Sequence, residues 1–136
     1  MKRKFKKINL EYVLLAVILL FGFFLRVYRL RVPPFWIDES ISTIASLNIL
    51  EKGLPIFDSG LLYNRAYLFH YIQAFFLLFG KTDFLARFPS VIFSLISAWF
   101  LYKIAGNWAA ALFLFNPLII YYSQEARMYS MAMFAV

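Results

Sequence analysis

Two adjacent acids, Asp38 and Glu39, follow a long apolar run, and a third, Glu125, stands beside Arg127 in the block Ser123-Gln124-Glu125-Ala126-Arg127-Met128-Tyr129. A carboxylate at a membrane edge can act as a general base when its pKa is somewhat raised. Arginine suits phosphate because its planar fork makes bidentate hydrogen bonds and keeps its charge. Arg127 with Arg65 or Arg87 could therefore hold a phosphate while Asp38 takes a proton. Glu39, Glu125, Tyr63 and Tyr129 complete the candidate set. Asp38 and Glu39 could help hold a divalent cation, although adjacent carboxylates are a weak ligand pattern. His70 has no second histidine to complete a metal site.

Each candidate also has an ordinary structural role. Asp38 is placed to cap a helix, worth about 1 kcal/mol. Glu39 would favour a helix N-terminus electrostatically. Arg87 precedes a membrane helix, where headgroup anchors are common. Tyr63 and Tyr129 suit a membrane interface. Glu125 and Arg127 are two residues apart and cannot share a helix face, so each needs a partner from elsewhere.

The elements that must position these residues are helical and apolar. The chain is 63% hydrophobic and 21% aromatic, with 15% charged residues and a mean hydropathy of +0.72. A soluble domain carries roughly 25% charge. The net charge of +7 is concentrated in Lys2, Arg3, Lys4, Lys6 and Lys7, so it does not describe a nucleic-acid surface. There is no cysteine, which excludes disulfides and thiolate metal sites.

The expected fold is all-α, a polytopic transmembrane helical protein with amphipathic juxtamembrane helices in its first outer loop. Residues 1–9 form a basic cytoplasmic tail. Residues 10–30 form the first span, with Arg26 snorkelling and Tyr28 and Arg29 at the interface. A cleaved leader is disfavoured, because arginines rather than a small-x-small site follow the run. The excess of positive charge on the tail side places the tail inside.

Residues 31–83 form the outer loop. Pro33-Pro34 ends the first helix. A helix over about 38–52 has Ile37, Ile41, Ile44 and Leu47 on one face and Ser40, Ser42, Thr43 and Ser46 opposite, and lies on the membrane until Gly53 stops it. A second helix over 66–79 rises about 21 Å, too short for the roughly 30 Å hydrocarbon core. It is read as interfacial or re-entrant, interrupted by His70 and Gln73. A span over 84–104 begins with Pro89 in its first turn. Gly106-Asn107 turns the chain into a third span, 107–122. Asn116-Pro117 should kink that span, and the freed carbonyl there needs a partner. Residues 123–136 read as the start of a fourth membrane helix that is cut short.

Several landmarks occur in order: Pro34 with Trp36-Ile37-Asp38-Glu39, Gly53-Leu54-Pro55, Tyr63-x-Arg65, Leu78-Phe79-Gly80, Ala86-Arg87-Phe88-Pro89-Ser90 and Tyr122 through Tyr129. Over residues 10–136 this series resembles the amino-terminal part of the bacterial and archaeal relatives of the dolichyl-phosphate-mannose protein mannosyltransferases. These are GT-C membrane glycosyltransferases, among them the aminoarabinose transferases. The resemblance implies an inverting hexosyl or pentosyl transfer from a polyprenyl-phosphate-linked sugar to a glycan, lipid or protein acceptor. It maps the catalytic carboxylate to Asp38, with Glu39 beside it, and puts Asp38, Arg87 and Arg127 on one outer face of a multi-pass inner-membrane protein. Relatives carry His followed by proline in the first outer loop; here Tyr71 follows His70, so no role for His70 carries over. Relatives also continue through further helices, so a chain of this length would lack acceptor recognition.

The bilayer is the expected partner and nucleic acid is not. The alternative is a small non-enzymatic membrane protein, a transporter subunit or scaffold. A transporter would need charges inside its spans. The clear apolar stretches 91–102 and 108–122 contain none.

Overall fold

The protein is described by a computed structural model covering residues 10–136; the expected basic tail over 1–9 lies outside the described residues. Six helices run in order: α1 (Leu10–Val27), α2 (Ile37–Lys52), α3 (Tyr67–Leu77), α4 (Asp83–Phe115), α5 (Pro117–Ser123) and α6 (Tyr129–Ala135). Among the described residues there is no strand, only a single bridge between Ile56 and Leu62 in the loop after α2. Two helices, α1 and α4, are long and apolar enough to cross a membrane.

Helix α4 is two limbs. Gly106 has φ 79° and ψ −173°, outside helical space, and this conformation is essentially restricted to glycine. Packing shows that the chain reverses there. Tyr102 meets Ala110 against Leu15, and Ala98 meets Leu114 against Ile18. Each of these pairs straddles Gly106 symmetrically. The first limb, 83–105, rises about 34 Å and returns through the second limb and α5. Helix α1 lies against both, with Asn107 donating to the Glu11 carbonyl at the turn. Gly22 is the close-approach point: a Cβ there would stand 3.0 Å from Leu114.

Asn116-Pro117 ends one helix and begins another. Asn116 is extended, as a residue before proline tends to be, and its Oδ1 accepts from the backbone N–H of Leu118 and Ile119. This leaves the Leu114 carbonyl without its helical donor. Arg26 supplies one, with Nη1 at 3.0 Å, while its Nε donates to Ser94 Oγ at 2.8 Å. Arg26 is fully buried, which corrects the expectation that it snorkels to water. A helix break inside the bundle offers acceptors that Arg26 can reach without leaving the core. Gln124 Nε2 reaches the Leu25, Arg26 and Tyr28 carbonyls, covering the end of α1.

Two other expectations change. Pro89 lies inside α4 rather than in its first turn, because the helix starts earlier, at a Thr82 cap whose Oγ1 accepts from the Leu85 N–H. Asp38 is not an N-cap; Trp36 holds that position without a side-chain bond. Gly53 does end α2 in the left-handed conformation.

Polar groups turn inward and large apolar groups outward. Helix α2 buries Glu39, Ser42, Thr43, Ser46 and Asn48, while Ile37 is 76% exposed and Ile44 is also exposed. Helix α3, 11 residues and about 16 Å long, buries His70 and Gln73 and exposes Leu68 and Phe75. Helix α1 buries Arg26 and exposes Leu20, Phe21 and Phe24. Water would penalise this arrangement; a hydrocarbon surround would not.

Replacing Gly106 by alanine is expected to cost about 1–3 kcal/mol, because the side chain forces the turn out of its conformation. Thermal unfolding in detergent measures it, with exposed Trp108→Ala as a near-neutral comparison; equal midpoints for the two variants would contradict the turn.

Candidate functional site

The candidate residues converge where the loop after α1, the start of α2, the first turns of α4 and the segment between α5 and α6 meet. The α1–α2 loop contains Pro33 and Pro34, and its carbonyls lack helical partners. Arg87, in the second turn of α4, supplies them. Its Nη1 donates to the Leu30 carbonyl at 2.7 Å and the Pro33 carbonyl at 2.9 Å, and its Nη2 reaches the Pro34 carbonyl at 3.5 Å. Nε and Nη2 grip Glu39 in a fork, at 2.9 Å to Oε1 and 2.8 Å to Oε2. The Phe35 ring lies 4.8 Å from the guanidinium carbon. Glu39 Oε1 also accepts from the Ala126 N–H at 2.7 Å. Both side chains are almost fully buried.

This geometry bears on two expected roles. A guanidinium has five N–H donors, and protein acceptors take all of them at Arg87. It has none left for phosphate. Glu39 has both oxygens engaged, so it positions its neighbours and does not stand beside Asp38 as a reacting acid. The Glu39 oxygens face Arg87. Among the described residues no three His, Cys, Asp or Glu side chains converge as metal ligands.

Asp38 and Arg127 are arranged differently. Arg127 Nη1 lies 3.1 Å from Asp38 Oδ2, and the two side chains are 12% and 40% exposed respectively. Arg127 Nη2 donates to the Tyr129 hydroxyl at 3.3 Å. Its guanidinium lies against the rings of Trp36 and Tyr129, 5.8 and 5.3 Å from their centroids. Aromatic faces attract a cation and hold its plane. Nε and one N–H of each terminal nitrogen make no bond to the described residues. Arg127 therefore keeps donors that Arg87 lacks.

Beside Arg127, a narrow crevice is lined by Ser42, Tyr63, Ala66, His70 and Met128. Tyr63 packs its ring 5.2 Å from His70. Ser46 Oγ lies 2.6 Å from Gln73 Oε1 and 3.3 Å from His70 Nδ1, and Gln73 Nε2 donates to the Ala86 carbonyl. This polar chain ties α2 and α3 to α4. Burial pushes the His70 imidazole below its ordinary pKa, and Arg127 adds to that; Gln73 and the Arg65 backbone oppose it. The Arg65 side chain is exposed and forms no ion pair among the described residues.

Glu125 is buried, and its Oε2 has no hydrogen-bond partner among the described residues. Burial pushes its carboxyl above the ordinary glutamate range and Glu39 pushes it further, while Tyr121, Arg127 and Arg87 pull it back. Glu125 lines a cavity of about 300 Å³ with Pro33, Pro34, Trp36, Tyr121 and Gln124, on whose wall Glu39 and Arg87 also stand. Sequence reasoning missed Trp36 as a site residue; its signal was its place two residues before Asp38, at the foot of a helix.

Breaking the buried fork from one side, by Arg87→Met or Glu39→Gln, is expected to destabilise the fold by about 3–5 kcal/mol, whereas replacing both partners with apolar groups costs less. Denaturation of the single and double variants measures this, and additive losses would contradict a shared interaction. For Glu125, a raised folded pKa means that its stabilising contribution is complete below the ordinary glutamate value. That contribution is lost as pH rises through the raised one. The midpoint difference between Glu125→Gln and the unaltered chain should therefore grow with pH over that window, and a constant difference would contradict the burial of this acid.

No protein family, curated protein or solved structure matches the chain, so its functional reading rests on this geometry and on the order of its sequence landmarks.

Proposed function

We propose that the chain belongs to a membrane glycosyltransferase that moves a sugar from a polyprenyl-phosphate donor to an acceptor hydroxyl at the outer face of the plasma membrane, with inversion. The observation that carries this reading is the Asp38–Arg127 pair: a partly exposed carboxylate 3.1 Å from a guanidinium with donors to spare. The landmark series, with its resemblance to the GT-C transferases, supplies the substrate class. The outward apolar faces of α1, α2 and α3 support a multi-pass chain whose short helices rest in the interface.

In this reaction the Asp38 carboxylate takes the proton of the acceptor hydroxyl as its oxygen bonds to the anomeric carbon. The bond from that carbon to the phosphate oxygen breaks, and its electron pair leaves with the polyprenyl phosphate. Arg127 stabilises the charge that develops there, most effectively in a site shielded from water. Inversion puts nucleophile and leaving group on opposite sides of the sugar, so the two side chains separate to admit it. Tyr129 and Trp36 hold the guanidinium in place while they do. Arg65, exposed at the start of α3, is a second donor for phosphate at the rim.

A transporter would place its charges along a pathway through the spans. Arg26 is charged and inside the bundle, but its Nε and Nη1 are turned to a serine, the Gly22 carbonyl and the Leu114 carbonyl at a helix end. That is the role of a staple, and it favours the enzyme over the transporter.

Asp38→Asn in the protein expressed from its complete gene should lower sugar transfer from a radiolabelled polyprenyl-phosphate sugar by about 10²–10⁴-fold, the usual worth of a general base. Transfer at the unaltered rate would remove Asp38 from that role. Cysteines placed singly at 38 and 127, in a chain with no native cysteine, should both react with an impermeant thiol reagent added outside intact cells.

A further inference from the structure

The cavity beside Glu125 is separate in character from the Asp38–Arg127 pair. Its walls are two prolines and Trp36 on one side, and Tyr121, Gln124 and Glu125 on the other, with the neutralised Glu39–Arg87 fork behind. At about 300 Å³ it stands at the small end of ligand sites, which run roughly 300–1,000 Å³. It has room for one ring rather than a chain of them.

Its chemistry narrows the occupant. Arg127 lies against the Trp36 ring and makes that side unfavourable to a cation. An ionised Glu125 carboxyl makes the other side unfavourable to an anion. What remains is a neutral ligand with one apolar face and several hydroxyls. A pyranose fits that description: its C–H face packs on an aromatic ring, whose π-face is negative, and its hydroxyls can bond a carboxyl whether that group is ionised or protonated. Glu125 enters this site with an Oε2 that has no hydrogen-bond partner among the described residues.

We propose that this cavity binds a single saccharide ring, with Trp36 as its stacking surface and Glu125 as its hydrogen-bonding group. The proposal rests on the glycosyl-transfer reading for the choice of a sugar, and it places that sugar's ring against Trp36, next to the phosphate held by Arg127. Trp36 thereby touches both halves of the donor.

The test uses the full chain in detergent and methyl pyranosides, which carry no phosphate, observed by saturation-transfer NMR. Saturable binding is expected, weakened at least tenfold by Glu125→Ala and by Trp36→Leu, and unchanged by Trp108→Phe at the far end of the bundle. Trp36 is exposed, so its variant remains informative if Glu125→Ala fails to fold. Absence of binding, or binding that ignores Trp36→Leu, overturns the proposal. Pyranoside binding, with no transfer from a polyprenyl-phosphate sugar by the protein expressed from its complete gene, would refute the enzyme and leave the sugar site standing. Transfer without pyranoside binding here would do the reverse.

Discussion

Glu39 and Arg87 meet in a bidentate fork with almost no contact with solvent, and an unpaired charge left there would be severely penalised. The constraint reaches further than the two residues. Arg87 gathers the carbonyls of a proline-rich loop that has no ladder of its own. Glu39 fixes the backbone of the α5–α6 segment through the Ala126 N–H. Three stretches of chain, distant in sequence, are thereby held at one end of the bundle. Asp38 and Arg127 are each next to a residue of this assembly: Asp38 precedes Glu39, and Arg127 follows Ala126. Their 3.1 Å approach is a consequence of the fork, since fixing both backbones leaves two short arms to meet.

The same logic explains the polar groups that lie in the interior beside its apolar clusters. Large apolar side chains are turned outward on α1, α2 and α3, and in a hydrocarbon surround the hydrophobic effect would not draw such helices together. Close packing and internal hydrogen bonds must do so. Gly22 against Leu114 supplies the first. The Ser46–His70–Gln73 chain and the Arg26 staple supply the second. Several of these polar groups match an acceptor that the fold itself created, as when the Asn116 cap releases the Leu114 carbonyl to Arg26.

Much of this was legible in the residues. The turn at Gly106, the stop at Gly53, the break at Asn116-Pro117 and the shortness of α3 follow from local chemistry. The landmark order brought Asp38 and Arg127 to one border. What escaped was tertiary partnership. Arg26 looked like a snorkelling residue because its sequence neighbours are interfacial; nothing near it reveals a free carbonyl 88 positions later. Arg87 looked available for phosphate because no local acid claims it, and its partner lies 48 residues earlier. The serines of α2 were read as its wet face, since periodicity finds two faces without saying which one is inside. The early start of α4 could have been read from Thr82-Asp83, a cap followed by an acid.

Adjacent residues of one type can thus have opposite fates, and the difference is a matter of unsatisfied valence. Asp38 and Glu39 are neighbours on a helix and point about 100° apart. One falls among donors that take both its oxygens; the other reaches a partly open guanidinium. Arg87 and Arg127 divide in the same way. A group whose every donor is bonded inside the protein would have to break those bonds to hold a substrate, which costs what the fold gained from them. A group held in place by aromatic faces, with N–H donors still unmade, can bind without that loss. Among the described residues at this end of the molecule, the groups left with bonding capacity to spare are therefore Arg127, paired with the half-exposed Asp38, and Glu125.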